Sequence, residues 1–159
     1  MRANASRGFS FIELLASLAI IATLLAIAVP VAQSVVKRKQ EAELRLALGQ
    51  IRGAIDQYKR AVDAGRIATK SGATGYPPDL AVLASGVDDV SSPSGAKIYF
   101  LRRVPADPFS ESKTSAPEET WGLRSYASPP DDPQAGEDVF DVYSTSTENG
   151  LNDVPYREW

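Results

Sequence analysis

Apolar and polar positions divide the N-terminal part of the chain into two regimes. Residues 14–32 read LLASLAIIATLLAIAVPVA, 19 positions without a charge. A helix of that length covers roughly 28 Å, close to the hydrocarbon thickness of a bilayer. Farther on, Leu44, Leu48, Ile51, Ile55, Tyr58 and Val62 step by four and three, while Lys39, Glu43, Arg52, Asp56, Lys59 and Asp63 take other faces. That period predicts an amphipathic helix over residues 33–66. Together the two stretches predict one long helix, apolar all round in its first half and striped in its second. Pro30 lacks an N–H and is expected to bend or weaken the turn before it.

The rest of the chain reads as short elements. Ala64, Gly65 and a Ser/Gly/Thr/Pro stretch at 69–78 stop the helix. Residues 77–83 predict a short second helix with Asp79 near its start, and 84–96 predict a loop. An apolar strand is expected at 97–101, a polar loop at 110–119, and better strands at 121–126 and 139–144, which are rich in aromatic and β-branched residues. Residues 128–138, SPPDDPQAGED, are turn chemistry. The fold class is therefore α+β: a long N-terminal helix, with a membrane-spanning half and an amphipathic half, packed on a small antiparallel sheet. Gly49 and Gly53 form a spaced pair on the helix, read either as close-packing positions or as tolerated surface glycines.

Composition narrows the functions available. The 159 residues contain no cysteine and no histidine, which excludes thiolate and imidazole catalysis, Cys/His zinc sites and disulfide staples. Acidic pairs such as Asp88 with Asp89 and Asp131 with Asp132 are neighbours in loops, a poor basis for an acid/base dyad, so no enzyme is expected. The net charge of -3 hides an asymmetry: residues 1–103 carry 14 basic and 8 acidic side chains, residues 104–159 carry 3 and 12. An acidic second half argues against a nucleic-acid partner. It suits a divalent cation among the carboxylates, contacts between a basic helix and an acidic sheet of another copy, or simply a solvated acidic surface.

Glu13 is the residue that a plain anchor does not need. A carboxylate at the bilayer centre costs about 2.5–3.5 kcal/mol, so Glu13 must lie near the interface or meet a cation. Cleavage between Gly8 and Phe9 would create an α-amine four residues before Glu13, about one helical turn away. Amine and carboxylate could then pair, within or between chains. The alternative is an ordinary secretory signal, with Arg2 and Arg7 as its basic region and Ala26, Ile27 and Ala28 as its cleavage site, which leaves Glu13 unexplained.

At these residues the sequence resembles the class III signal of the type IV pilin and type II secretion pseudopilin family: a short basic leader ending in Gly8, Phe9 first and Glu13 fifth in the mature chain, then the apolar run. Pro30 matches the family's helix-bending proline. The resemblance implies cleavage after Gly8 and N-methylation of Phe9 by a prepilin peptidase. It also implies a role for Glu13 and Pro30 in assembly, with Glu13 pairing with a neighbour's N-terminus. It divides the chain into a cleaved leader (1–8), a transmembrane and assembly helix (9–32), an amphipathic half (33–66), a loop with a short helix (67–96), and a sheet with a C-terminal loop (97–159). The N-terminus would be cytoplasmic and the C-terminal domain periplasmic, in an inner-membrane precursor that later joins a filament. Lys37, Arg38 and Lys39 stand on the wrong side for that orientation; Glu41 and Glu43 are near enough to pair with them.

The likeness continues downstream and is closest to the major pseudopilin. Gly75, Tyr76 and Pro77 are similar to its Tyr-Pro element, and Asp107, Pro108 and Phe109 to its Asp-Pro-aromatic element. Asp141, Tyr143 and Ser144 match its Asp-aromatic-Ser strand, after which an acidic, glycine-rich loop holds calcium. The resemblance places calcium ligands here at Thr145, Glu148, Asn152 and Asp153; Glu148 stands where aspartate is usual, and the loop is shorter. A polar β-turn closed by Asx and Ser/Thr hydrogen bonds is the other reading. The partners implied are other copies of the chain, the prepilin peptidase, other pseudopilins and the inner-membrane secretion platform. A type IV pilin of a surface fibre and a single-pass anchored periplasmic binding module are the alternatives.

Overall fold

A computed structural model describes residues 10–110 and 116–159. The leader, Gly8 and Phe9, and part of the loop expected at 110–119 lie outside the described residues, as does the side chain of Pro30. The chain divides into two units, residues 1–39 and residues 40–159.

One helix, α1 (Phe11–Asp63), runs from the first unit into the second. It is helical through position 30, where the sequence predicts a weakened turn. In the first unit its large apolar side chains are exposed, from Phe11 and Ile12 to Val35 and Val36. In the second unit the stripe is buried as its period predicts. Leu44, Leu48, Ile51, Ile55 and Tyr58 are core residues, joined by Ala47, Ala54 and Ala61, while Val62 packs on the edge. Gly49 and Gly53 face open space, which favours the surface reading of that pair.

α1 stops three residues earlier than the sequence predicts, and the reason is local. Gly65 adopts φ +69°, a left-handed conformation, and its N–H bonds Val62 O at 2.8 Å while Arg66 N–H reaches Ala61 O at 2.9 Å. This 6→1 and 5→2 pairing is a Schellman cap, and it turns the chain away before Arg66.

The short elements pack over the amphipathic half of α1. The second helix, α2 (Ala81–Ser85), begins later than expected, after Asp79, whose Oδ1 accepts Val82 N–H at 2.8 Å. Residues 84–96 are not all loop: β1 (Val87–Asp88) pairs antiparallel with β2 (Lys97–Ile98). The strand expected at 97–101 is cut short because Phe100 and Leu101 both give their N–H groups to Leu83 O. A 3₁₀ turn (Pro117–Thr120) leads into β3 (Trp121–Arg124), which pairs antiparallel with β4 (Asp141–Ser144). Two small two-stranded sheets thus stand where the sequence suggests one. Across β3 and β4 the ring of Tyr143 lies directly over Gly122, where any Cβ would collide with it. The α+β class and the pilin-like plan of long helix and small antiparallel sheets are those of the sequence reading.

Candidate functional site

The first described residues form a helix cap. Leu14 N–H bonds Ser10 O at 3.1 Å, so Ser10 stands at the N-cap position. Glu13 reaches back to Ser10, whose backbone N–H donates to Oε2 at 3.2 Å. This is the glutamate half of a capping box, and it was legible in the spacing of Ser10 and Glu13. The carboxylate lies against the positive end of the helix dipole. It therefore points toward the start of the chain and away from the apolar run.

The two hydroxyls of the apolar run are satisfied within the helix itself. Ser17 donates its hydroxyl to Glu13 O at 2.7 Å, and Thr23 donates to Ala19 O at 2.8 Å. Such back-bonds to the preceding turn let a hydroxyl ride in hydrocarbon without a partner from outside. By length and composition α1 can cross a membrane, and none of its most apolar stretch is buried. An apolar surface of that extent marks a contact with lipid or with other chains.

Three of the four tail residues named as calcium ligands, Glu148, Asn152 and Asp153, lie in one turn that closes on its own chain. Gly150 N–H bonds Val154 O at 2.9 Å, Asp153 N–H bonds Gly150 O at 3.0 Å, and Tyr156 N–H bonds Glu148 O at 3.1 Å. Asn152 spends its amide oxygen on Val154 N–H at 3.3 Å. Asp153 sits at φ 60°, a left-handed turn position that short polar side chains tolerate. Thr145 is exposed just beyond β4. Among the described residues no group of three or more Asp, Glu, His or Cys side chains gathers in a way that could hold a metal ion.

The acidic residues that matter inside the head are others. Asp107 is buried, accepting Phe109 N–H at 2.8 Å and the Ser144 hydroxyl at 2.6 Å, so it joins the Asp-Pro-aromatic element to β4. Asp138 is buried too and holds Tyr126 N–H at 2.9 Å and the Thr74 hydroxyl. Asp89 pairs with Arg66 and accepts from Ser91, contacts that lower its pKa to about 2. Glu41 does not turn to the basic triplet; its carboxylate faces the tail, accepting Leu151 N–H at 2.6 Å and Tyr156 O–H at 3.2 Å. Burial and the nearby Glu41 carboxylate raise the pKa of Tyr156 well above its usual value. Apart from Phe109 and Ser91, each two residues from its aspartate, these partners lie 12 to 115 residues away in sequence, which is why periodicity and spacing did not reveal them.

A cleft of about 700 Å³ is lined by Arg52, Arg124, Asp141, Tyr143, Arg157 and Trp159. Of the carboxylates that line it, Asp131, Asp141 and Glu158, Asp141 meets Arg52 Nε at 2.7 Å and Arg124 Nη2 at 3.6 Å. Arg52 also donates to Val142 O and Trp159 O, at 3.0 and 2.8 Å.

Residues 3–29 match the model of the prokaryotic N-terminal methylation motif. That motif is a type IV pilin-like signal, and it indicates a membrane-associated precursor, pilin-like or pseudopilin, processed by prepilin peptidase for filament assembly. No curated protein and no solved structure matches the chain.

Proposed function

We propose that this chain is a structural subunit, not an enzyme, of a type II secretion pseudopilus: a short periplasmic filament that helps export folded proteins across the outer membrane. One coincidence carries the reading. The methylation motif runs into the apolar half of α1, whose large apolar side chains are exposed, and Glu13 sits in that helix's first turn with its carboxylate turned back toward the chain start. Cutting after Gly8 leaves Phe9 with a charged amine, N-methylated by the same peptidase. Glu13 of one subunit then neutralises the amine of a neighbour as the apolar helices exchange lipid for one another. Filaments grow by such repeated heterologous contacts. The precursor is a single-pass inner-membrane protein with its head in the periplasm, and its partners are other copies, other pseudopilins and the secretion platform.

Two observations support the pseudopilus over a surface fibre. The chain has no cysteine for the C-terminal disulfide loop that many type IV pilins carry. The Asp107 to Ser144 hydrogen bond physically joins two of the elements that resemble the major pseudopilin. The test is genetic. Removing the chain from its native cell is expected to stop release of folded cargo while leaving surface fibres intact; the wild-type gene restores release and Glu13→Ala does not. Loss of surface fibres with normal release would make it a type IV pilin, and full rescue by Glu13→Ala would make it an anchored module.

A further inference from the structure

We propose that the tail is fastened to α1 by a carboxylate clamp centred on Glu41, which does without a metal the work that calcium does in the proteins the sequence resembles. The proposal concerns the head alone and stands whether or not the filament reading does.

The face of α1 that meets the tail is set by helical spacing. Glu41, Arg45, Leu48 and Arg52 step by four, three and four, so they lie along one side. The three charged ones each hold a part of the tail. Glu41 is only 8% exposed and takes two donors, Leu151 N–H and Tyr156 O–H. Arg45 lies over the Trp159 ring, 4.3 Å from its centroid. Arg52 donates to Trp159 O. Tyr156 is fully buried, stacked on Phe109 at 4.0 Å and meeting Trp159 edge-on at 5.0 Å.

The polarity of this arrangement is the opposite of a cation site. A loop that binds calcium presents six to eight oxygens to a central positive charge. Here the group received by the turn is itself an anion, and the turn meets it with a peptide N–H and a phenol O–H. Three oxygens of the turn are committed within it, Glu148 O to Tyr156 N–H, Gly150 O to Asp153 N–H and the Asn152 amide to Val154 N–H. Gly150 fits because it has no side chain, since a Cβ there would run into Trp159 and Asn152.

The experiment uses the full chain in detergent, comparing wild type, Glu41→Ala, Glu41→Gln, and Glu148→Gln combined with Asp153→Asn. Thermal unfolding and hydrogen exchange at the Leu151 amide are measured with excess calcium and with excess EDTA. Wild type is expected to be the same in both media, and so is the double variant. Glu41→Ala leaves a peptide N–H and a buried phenol without their acceptor, so it should lower Tm by about 5–10 °C and speed exchange at Leu151 by about tenfold or more. Glu41→Gln keeps an acceptor oxygen and should fall between. EDTA lowering the wild-type Tm, with calcium restoring it, would overturn the clamp in favour of a metal, a result that can be read even if Glu41→Ala does not fold. Unchanged Leu151 exchange in Glu41→Ala would overturn it as well.

Discussion

Asp89 shows how single carboxylates hold the loops of a head that has no disulfide. Its two oxygens serve the Arg66 guanidinium on one side and the Ser91 N–H and hydroxyl on the other. The hydrogen bond from Arg66 is the largest cause of its lowered pKa, followed by the Ser91 hydroxyl. A folded pKa of about 2 lies below the unfolded value of about 3.9, so the contact stabilises the fold above that value and is lost as pH falls toward 2. Thermal unfolding between pH 6 and pH 2 should therefore show Asp89→Asn starting lower than wild type, with the gap closing as the acid limb is descended. A gap that stays constant with pH would mean that the pairing with Arg66 contributes nothing. Asp107 and Asp138 follow the same design with neutral donors.

At the scale of elements, α1 carries the fold of the head because its stripe is the one surface every short element can share. Ile51 is fully buried at the middle of that stripe, whereas Leu46, also apolar and on the same helix, is 63% exposed. Ile51→Ala is expected to cost about 2–5 kcal/mol in denaturant unfolding. Leu46→Ala should stay within about 0.5 kcal/mol. Comparable losses at both positions would mean that the stripe does not define the core. The stripe was legible because a 3.6-residue period repeats over many turns. β1 was not, because two residues have no alternation to read, and the strand at 97–101 was overestimated because its apolar run cannot show that Leu83 O takes two of its amides. Arg52 read as a charge off the buried stripe and Glu41 as a partner for the basic triplet, because the groups they meet lie about ninety to more than a hundred residues away in the chain. Only tertiary structure brings such pairs together. The capping box of Ser10 and Glu13, by contrast, is a local signal.

For the molecule as a whole, the two units pose different physical problems. Residues 40–159 bury a core and tie their loops internally, and the described part of residues 1–39 buries almost nothing. A helix so apolar is stable only against lipid or against its own kind, and an acid in its first turn must stay near the interface or meet a positive charge in either state. Under the proposed function the α-amine freed by cleavage after Gly8 supplies that charge, which would make processing the step that turns a membrane-held precursor into a subunit able to assemble.

Mass spectrometry of the N-terminal peptide of the chain isolated from its native membrane tests this directly. The account predicts a mature chain that begins at Phe9 and is heavier by one methyl group on its α-amine. A chain beginning near Val29, or one still carrying Met1 and its leader, would contradict it.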